Sequence, residues 1–347
     1  MAISIDVPYM VQFLMRLLAL RSPTGCTAGA VQLVEQELQS LGYQPQRTVK
    51  GALLLTLPGK GTGAARALTA HVDTLGGMVR EVKDNGRLKI TAIGGTEAHA
   101  VEGEYCEVRT LDGRSYTGTC VPTKASVHVF GEEYRKLERT LENMEIRLDE
   151  RVATRDETQA LGIRPGDFVL FDPRPVHTPG GFVKSRYLDD KASVACLLGA
   201  LKAMRDQGLQ AAVTSHFLIS VYEEVGHGAP AGLPGDIEEL IAVDMAAVGK
   251  GQASDEYTVT VCAKDSSGPY DLGLRERLVK LAEAEGLRYC VDIYPYYGSD
   301  ASAAMRAGWN IRHGLIGPGV DASHTHERTH QDALENTARL VALYLTH

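Results

Sequence analysis

Hydrophobic positions recur at two different periods along the chain, and the switches between those periods lay out its organisation. Met10, Phe13, Leu14, Leu17 and Leu18 fall at helical spacing, so the run YMVQFLMRLLAL predicts an amphipathic helix. Ser22-Pro23-Thr24-Gly25 breaks it, and a second helix follows with Thr27 at its cap, Val31, Val34, Leu38 and Leu41 on one face, and Gly42 ending it. ALLLTL at 52–57 and RALTAHVD at 66–73 read as neighbouring strands separated by Pro58-Gly59-Lys60-Gly61. From 76 to 178 the pattern changes to short strands joined by Asp84-Asn85-Gly86 and Asp112-Gly113 turns, with one charged helix around 131–145 and the strand FVLF. Longer elements then return: a helix at 190–206, VTSHFLISVY at 213–222, LIAVDM at 240–245, a helix near 273–286, a strand near 290 and a helix at 331–345. This alternation predicts an α/β fold whose sheet is mainly parallel and carries helices on both faces. The first domain then comprises 1–75 and 179–347, interrupted by a β-rich insertion at 76–178.

Composition narrows the classes of function. A chain of 347 residues, 44% hydrophobic and 23% charged, can bury a core and lacks the signature of disorder. Its 36 basic and 44 acidic residues give a net charge of -8 with no segregated basic stripe, so nucleic acid is not an expected partner. The N-terminal apolar run is preceded by Asp6 and interrupted by Arg16, unlike a signal peptide. No stretch approaches the ~18 to 20 apolar residues of a membrane span, which predicts a soluble protein. Cys26, Cys106, Cys120, Cys196, Cys262 and Cys290 are scattered without a CxxC pair, as expected of reduced thiols in the cytoplasm.

The chemistry-bearing residues gather where apolar strands end, which is where open parallel sheets bind ligands. His71 and Asp73 close LTAHVD, Asp189 and Asp190 precede a helix, Glu223 and Glu224 close LISVYEE, and Asp244 closes LIAVD. A Gly-Pro-Gly loop then leads to SHTHERTH, carrying His324, His326 and His330. An HxD triplet, a pair of aspartates before a helix or a pair of glutamates at a turn is individually weak, since each is common as a cap or a solvated turn. Together they would crowd negative charge into one cleft, which is costly unless a cation offsets it. Imidazole and carboxylate without thiolate suit zinc, cobalt or manganese, and one carboxylate can bridge two ions. A further carboxylate, Glu223, could then take the proton of an activated water and pass it to a leaving amine. Asp73, two residues beyond His71, is placed to orient that imidazole.

In order and separation, AHVDTLGGMV, SRYLDDKAS, VYEEVGHGA, AVDMA, YYGSDASAAM and SHTHERTH resemble the M42 family of co-catalytic metallo-aminopeptidases, from the first helix to the last. The resemblance implies a zinc-peptidase-like fold with an inserted PDZ-like dimerisation domain, and homo-oligomers from dimers to twelve-subunit tetrahedra. It implies two divalent ions, Zn2+ or Co2+ with Mn2+ as an alternative, bound by His71, Asp189 as the bridge, Glu224, Asp244 and His324, with His326 competing for the last position. By the same likeness Glu223 is the general base acting on a metal-bridging water, and Asp190 follows Asp189 through an unusual backbone geometry. The expected activity is removal of N-terminal residues from short peptides. Departures are also present: only His227 separates Gly226 from Gly228, the histidine segment reads HTHERTH, and Gly298-Ser299-Asp300 stands where Gly-Thr-Asp is more frequent. The shortened loop and the ERTH ending motivate an alternative, a metal-dependent deacylase or amidase on a small N-acylated or amidated dipeptide. Trp309 and Tyr294, Tyr296 and Tyr297 are read as packing residues, and Cys196 and Cys262 as core fillers.

Overall fold

The structure, a computed structural model, describes residues 3–347; the first two residues of the range 1–75 lie outside it. The N-terminal helix, Val7–Leu18, begins where the Asp6 side chain accepts the Tyr9 N–H at 3.1 Å. Its apolar stripe, Met10, Phe13, Leu14, Leu17 and Leu18, is buried as the spacing predicts. That stripe meets the long helix Leu188–Asp206, which also packs on the C-terminal helix Gln331–Thr346. The close approach is permitted by Gly199, where an added Cβ would lie 2.9 Å from Met10 Sδ. At the second helix, Ala28–Ser40, Thr27 occupies the cap position without a side-chain capping bond.

The central sheet is mixed rather than mainly parallel. Ser215–Ser220, Ala65–His71, Ile237–Val243 and Arg312–Asp321 run parallel in that order. Leu53–Leu57 flanks them antiparallel on one side and Val259–Asp265 on the other, and Tyr289–Ile293 pairs parallel with the latter. Every residue of Ala65–His71 is buried; because successive side chains point to opposite faces, both faces of the sheet are covered there. Two strands escape the sequence pattern. Val259–Asp265 was not expected, and the Gly-Pro-Gly segment is no loop but part of Arg312–Asp321. Its glycines are explained by contact: a Cβ on Gly317 would sit 1.7 Å from the Asp244 carbonyl oxygen, and one on Gly319 1.8 Å from that of Asp255.

The expected PDZ-like module is a closed antiparallel barrel of six strands, Gly76–Val82, Leu88–Ile93, Met144–Leu148, Ser115–Pro122, Tyr105–Arg109 and Phe168–Phe171. It has its own core, in which Val79, Leu88, Ile90, Val108, Ile146 and Val169 meet. The charged helix expected near 131–145 is instead two short turns of helix, Val127–Phe130 and Glu132–Lys136, a 3-10 turn and then the strand Met144–Leu148. Gly131, at a φ of +52°, separates the two turns. Among the described residues, no helix is long and apolar enough to cross a membrane.

Candidate metal centre and active-site cleft

The carboxyl ends of the four parallel strands deliver the chemistry. His71 ends its strand, Glu223 and Glu224 form a 3-10 turn just beyond Ser215–Ser220, Asp244 follows Ile237–Val243, and His324 lies in the turn after Arg312–Asp321. Asp189 enters from the first turn of Leu188–Asp206, and a cis peptide bond joins it to Asp190.

His71 is 2% exposed. Its Nδ1 lies 2.9 Å from the Asp73 carbonyl oxygen, which can only accept, so Nδ1 carries the proton and a neutral ring leaves the Nε2 lone pair free. That Nε2 has no hydrogen-bond partner among the described residues. It lies 3.3 Å from Asp189 Oδ1 and 3.5 Å from Glu223 Oε2. One ligand atom from each of His71, Asp189 and Asp244 falls within 4.8 Å of the others. The second Asp189 oxygen, Oδ2, stands 3.5 Å from His324 Nε2, which is itself 4.0 Å from Glu224 Oε2. The Asp189 carboxylate therefore lies between two imidazoles, with a second carboxylate beside each.

Asp73 acts mainly through its other contacts. Its carboxylate, 3.6 Å from His71 Nδ1, accepts the Thr24 hydroxyl at 2.6 Å and the backbone N–H groups of Glu223 and Glu224 at 3.2 and 3.3 Å. It thus ties the paired glutamates to the strand end that carries His71. Asp190 turns away from the cleft and accepts the His71 N–H at 3.2 Å.

The electrostatics are those of acids packed together. Burial, reinforced by Asp189, pushes Asp244 up to about 7. Burial likewise lifts Glu223 and Glu224 well above the ordinary carboxylate range, reinforced by Asp244 for the first and Asp189 for the second. Asp189 goes the other way: burial opposes its ionisation, but His324 and His71 hold it low. The hydrogen bond to Asp189 pushes His324 up to about 9. A buried imidazole nitrogen without a partner, facing several carboxylates that repel one another, fits the donor set of a divalent cation.

His326 points elsewhere; burial and then Arg174 and Arg186 lower its pKa. His330 caps the last helix by accepting the Asp332 N–H at 3.2 Å. Glu327 escaped the sequence reading: it is 2% exposed, and burial followed by Asp189 raises it to about 8. The available signal was its place, with Thr329, at the inward positions of the short strand Glu327–His330. Asp300 is not a cleft carboxylate, since it accepts from Ser220 Oγ, Thr69 Oγ1 and the Ala229 N–H beneath the site.

A cleft of about 710 Å3 opens over Asp189, Glu223, Glu224, Asp244 and His324. Contrary to expectation, Tyr294, Tyr296 and Tyr297 line it, whereas Trp309 packs with its Nε1 donating to the Pro230 carbonyl at 3.2 Å.

The sequence profile of M42 glutamyl aminopeptidase matches residues 51–340. YhfE of Bacillus subtilis (strain 168), whose name includes the word aminopeptidase, is 51% identical over 334 residues, 96% of each chain. Among solved structures, aminopeptidase APDkam598 from the archaeon Desulfurococcus kamchatkensis superposes with a TM-score of 0.86 at 21% identity, covering 98% of this chain and 95% of its own. Pyrococcus horikoshii TET1 peptidase gives 0.84 at 22% identity, covering 97% and 99%. At these identities the structures speak for the fold, while the sequence matches speak for kinship. The chain belongs to the M42 peptidase family and is a hydrolase acting on peptide bonds, with the aminopeptidase function of that family.

Proposed function

We propose that the protein is a dinuclear metal-dependent aminopeptidase that removes N-terminal residues from short peptides. The observation that carries this reading is the Asp189 carboxylate, lying between His71 Nε2 at 3.3 Å and His324 Nε2 at 3.5 Å. His71 and Asp244 would hold one divalent ion, Glu224 and His324 the other, and Asp189 both; zinc or cobalt suits these donors, with manganese possible. When bound, such ions supply Lewis acidity for the scissile carbonyl and lower the pKa of water.

The remaining steps belong to the chain's own side chains. Glu223 accepts the proton of the attacking water at its carboxylate and returns it to the departing amine nitrogen. Asp73 positions Glu223 and Glu224 through their backbone N–H groups. The tyrosine-lined cleft takes the peptide. Residues 76–178 form the inserted domain, proposed to dimerise, between the catalytic segments 1–75 and 179–347. Assembly into a homo-oligomer is supported by Pyrococcus horikoshii TET1, which can assemble into a tetrahedron or a large octahedral shell. Six free cysteines support a cytoplasmic setting.

The test compares aminoacyl p-nitroanilides and dipeptides having a free amine with their N-acetylated counterparts, using enzyme loaded with Zn2+ or Co2+. Cleavage is expected only where the amine is free. Hydrolysis of the blocked compounds alone would overturn the aminopeptidase reading in favour of a deacylase. The last ligand is checked by substitution: His324→Ala should lose at least ~10-fold in metal affinity, read by competition with a chromophoric chelator, whereas His326→Ala should match the wild type. The reverse ranking would move the ligand to His326.

A further inference from the structure

We propose that Glu327 is the positioning residue that sets the separation of Asp189 and His324, and so the affinity of the half-site that they share. This inference rests on the metal-centre reading above. Glu327 Oε2 accepts the Asp189 backbone N–H at 3.1 Å, and Oε1 accepts the His324 backbone N–H at 3.1 Å. One carboxylate thereby fastens two elements that approach the site independently: the start of the helix Leu188–Asp206 and the turn after Arg312–Asp321.

The turn requires such a fastening. His324 has a φ of +64° and Ala322 one of +57°, left-handed conformations that are unfavourable for residues other than glycine. Left to itself, the turn would relax and carry the His324 imidazole away from Asp189. Glu327 is anchored at its base, because Glu327–His330 pairs antiparallel with Phe182–Ser185, Glu327 opposite Ser185. Each of its two oxygens is engaged by one of these N–H groups, so the side chain holds both backbones at once. The arrangement is that of an outer group holding the groups that would touch the metal, whose removal characteristically weakens metal binding or activity.

Glu327→Gln is nearly isosteric but presents an amide NH2 to one of the two N–H donors, leaving that donor without an acceptor. Titration of the metal-free protein with Co2+ against a chromophoric chelator should show one of two sites weakened ~10- to 100-fold. The visible spectrum of the Co2+ form should change, kcat should fall with KM little altered, and the melting temperature of metal-free protein should stay near that of wild type. Two sites of wild-type affinity and an unchanged spectrum would overturn the proposal. If the Gln variant does not fold, Glu327→Asp decides: it keeps both acceptors but shortens the reach, so a weakened site is expected and wild-type affinity is the contrary result. Wild-type protein that binds no divalent ion in this titration would instead refute the metal-centre reading itself.

Discussion

Glu223→Gln is expected to lower kcat/KM by ~10² to 10⁴ while metal content and melting temperature stay close to those of wild type. Glu223 Oε2 is 3.5 Å from His71 Nε2 and the side chain is largely shielded from solvent, so it can reach a water held at the centre. Burial, opposed by His71 and reinforced by Asp244 and Asp300, lifts its carboxyl well above the ordinary value. Glutamine retains the shape and the backbone bond to Asp73 but cannot carry a proton. The comparison is made by steady-state kinetics on an aminoacyl p-nitroanilide, with metal measured by mass spectrometry. Activity within a few-fold of wild type at full metal occupancy would remove Glu223 from its role.

The second large effect is on stability. Metal-stripped protein should melt at progressively lower temperature between pH 5 and pH 7, and the stabilisation conferred by Zn2+ should grow from pH 5 to pH 8. Asp244 moves from an ordinary 3.8 to about 7 in the fold; the native state therefore holds a proton that the unfolded state has released, and stability falls as pH rises through this window. His324, raised from 6.5 to about 9, contributes stability that is complete below 6.5 and is lost as pH rises through 9. Asp189, held low, adds stability that would be lost only in acid below this range. Lys191 opposes the trend above neutrality, since burial pushes its ammonium down to about 7. An ion changes the sign of the carboxylate contribution because it binds their ionised forms and displaces protons. At a concentration ~100 times its dissociation constant it should contribute ~2.7 kcal/mol. Thermal melts in chelator and in Zn2+ at successive pH values test this. A metal-free melting temperature that climbs from pH 5 to 7, or a metal-induced gain that is the same at every pH, would contradict the clustered-acid reading.

The strand-end acids and His71 were legible in the sequence because each stands at the junction of an apolar run and a polar turn, a pattern that a parallel sheet converts into proximity. His324 was distinguishable from His326 only in three dimensions, since the left-handed backbone at His324 decides which imidazole turns toward Asp189. Neither the presence nor the direction of Val259–Asp265 was legible: a sequence pattern says nothing about which neighbour a strand joins or which way it runs. The contribution of Asp73 divides between its carbonyl and its carboxylate, and such a division depends on backbone path rather than residue type. Glu327 was hidden because a lone glutamate between a histidine and an arginine looks solvated until both of its oxygens are seen to meet N–H groups.

The crowding of Gly317 against the Asp244 carbonyl has a consequence for evolution and engineering of the cleft. Behind Asp244, which lines the cleft, backbone is laid on backbone, where even a methyl group has nowhere to go. Elsewhere the lining presents side chains to solvent, Tyr296 being fully exposed. Variation that retunes which peptides are accepted has room at exposed lining positions such as Tyr296, so a library aimed at new selectivity should start there and leave the glycine strand untouched.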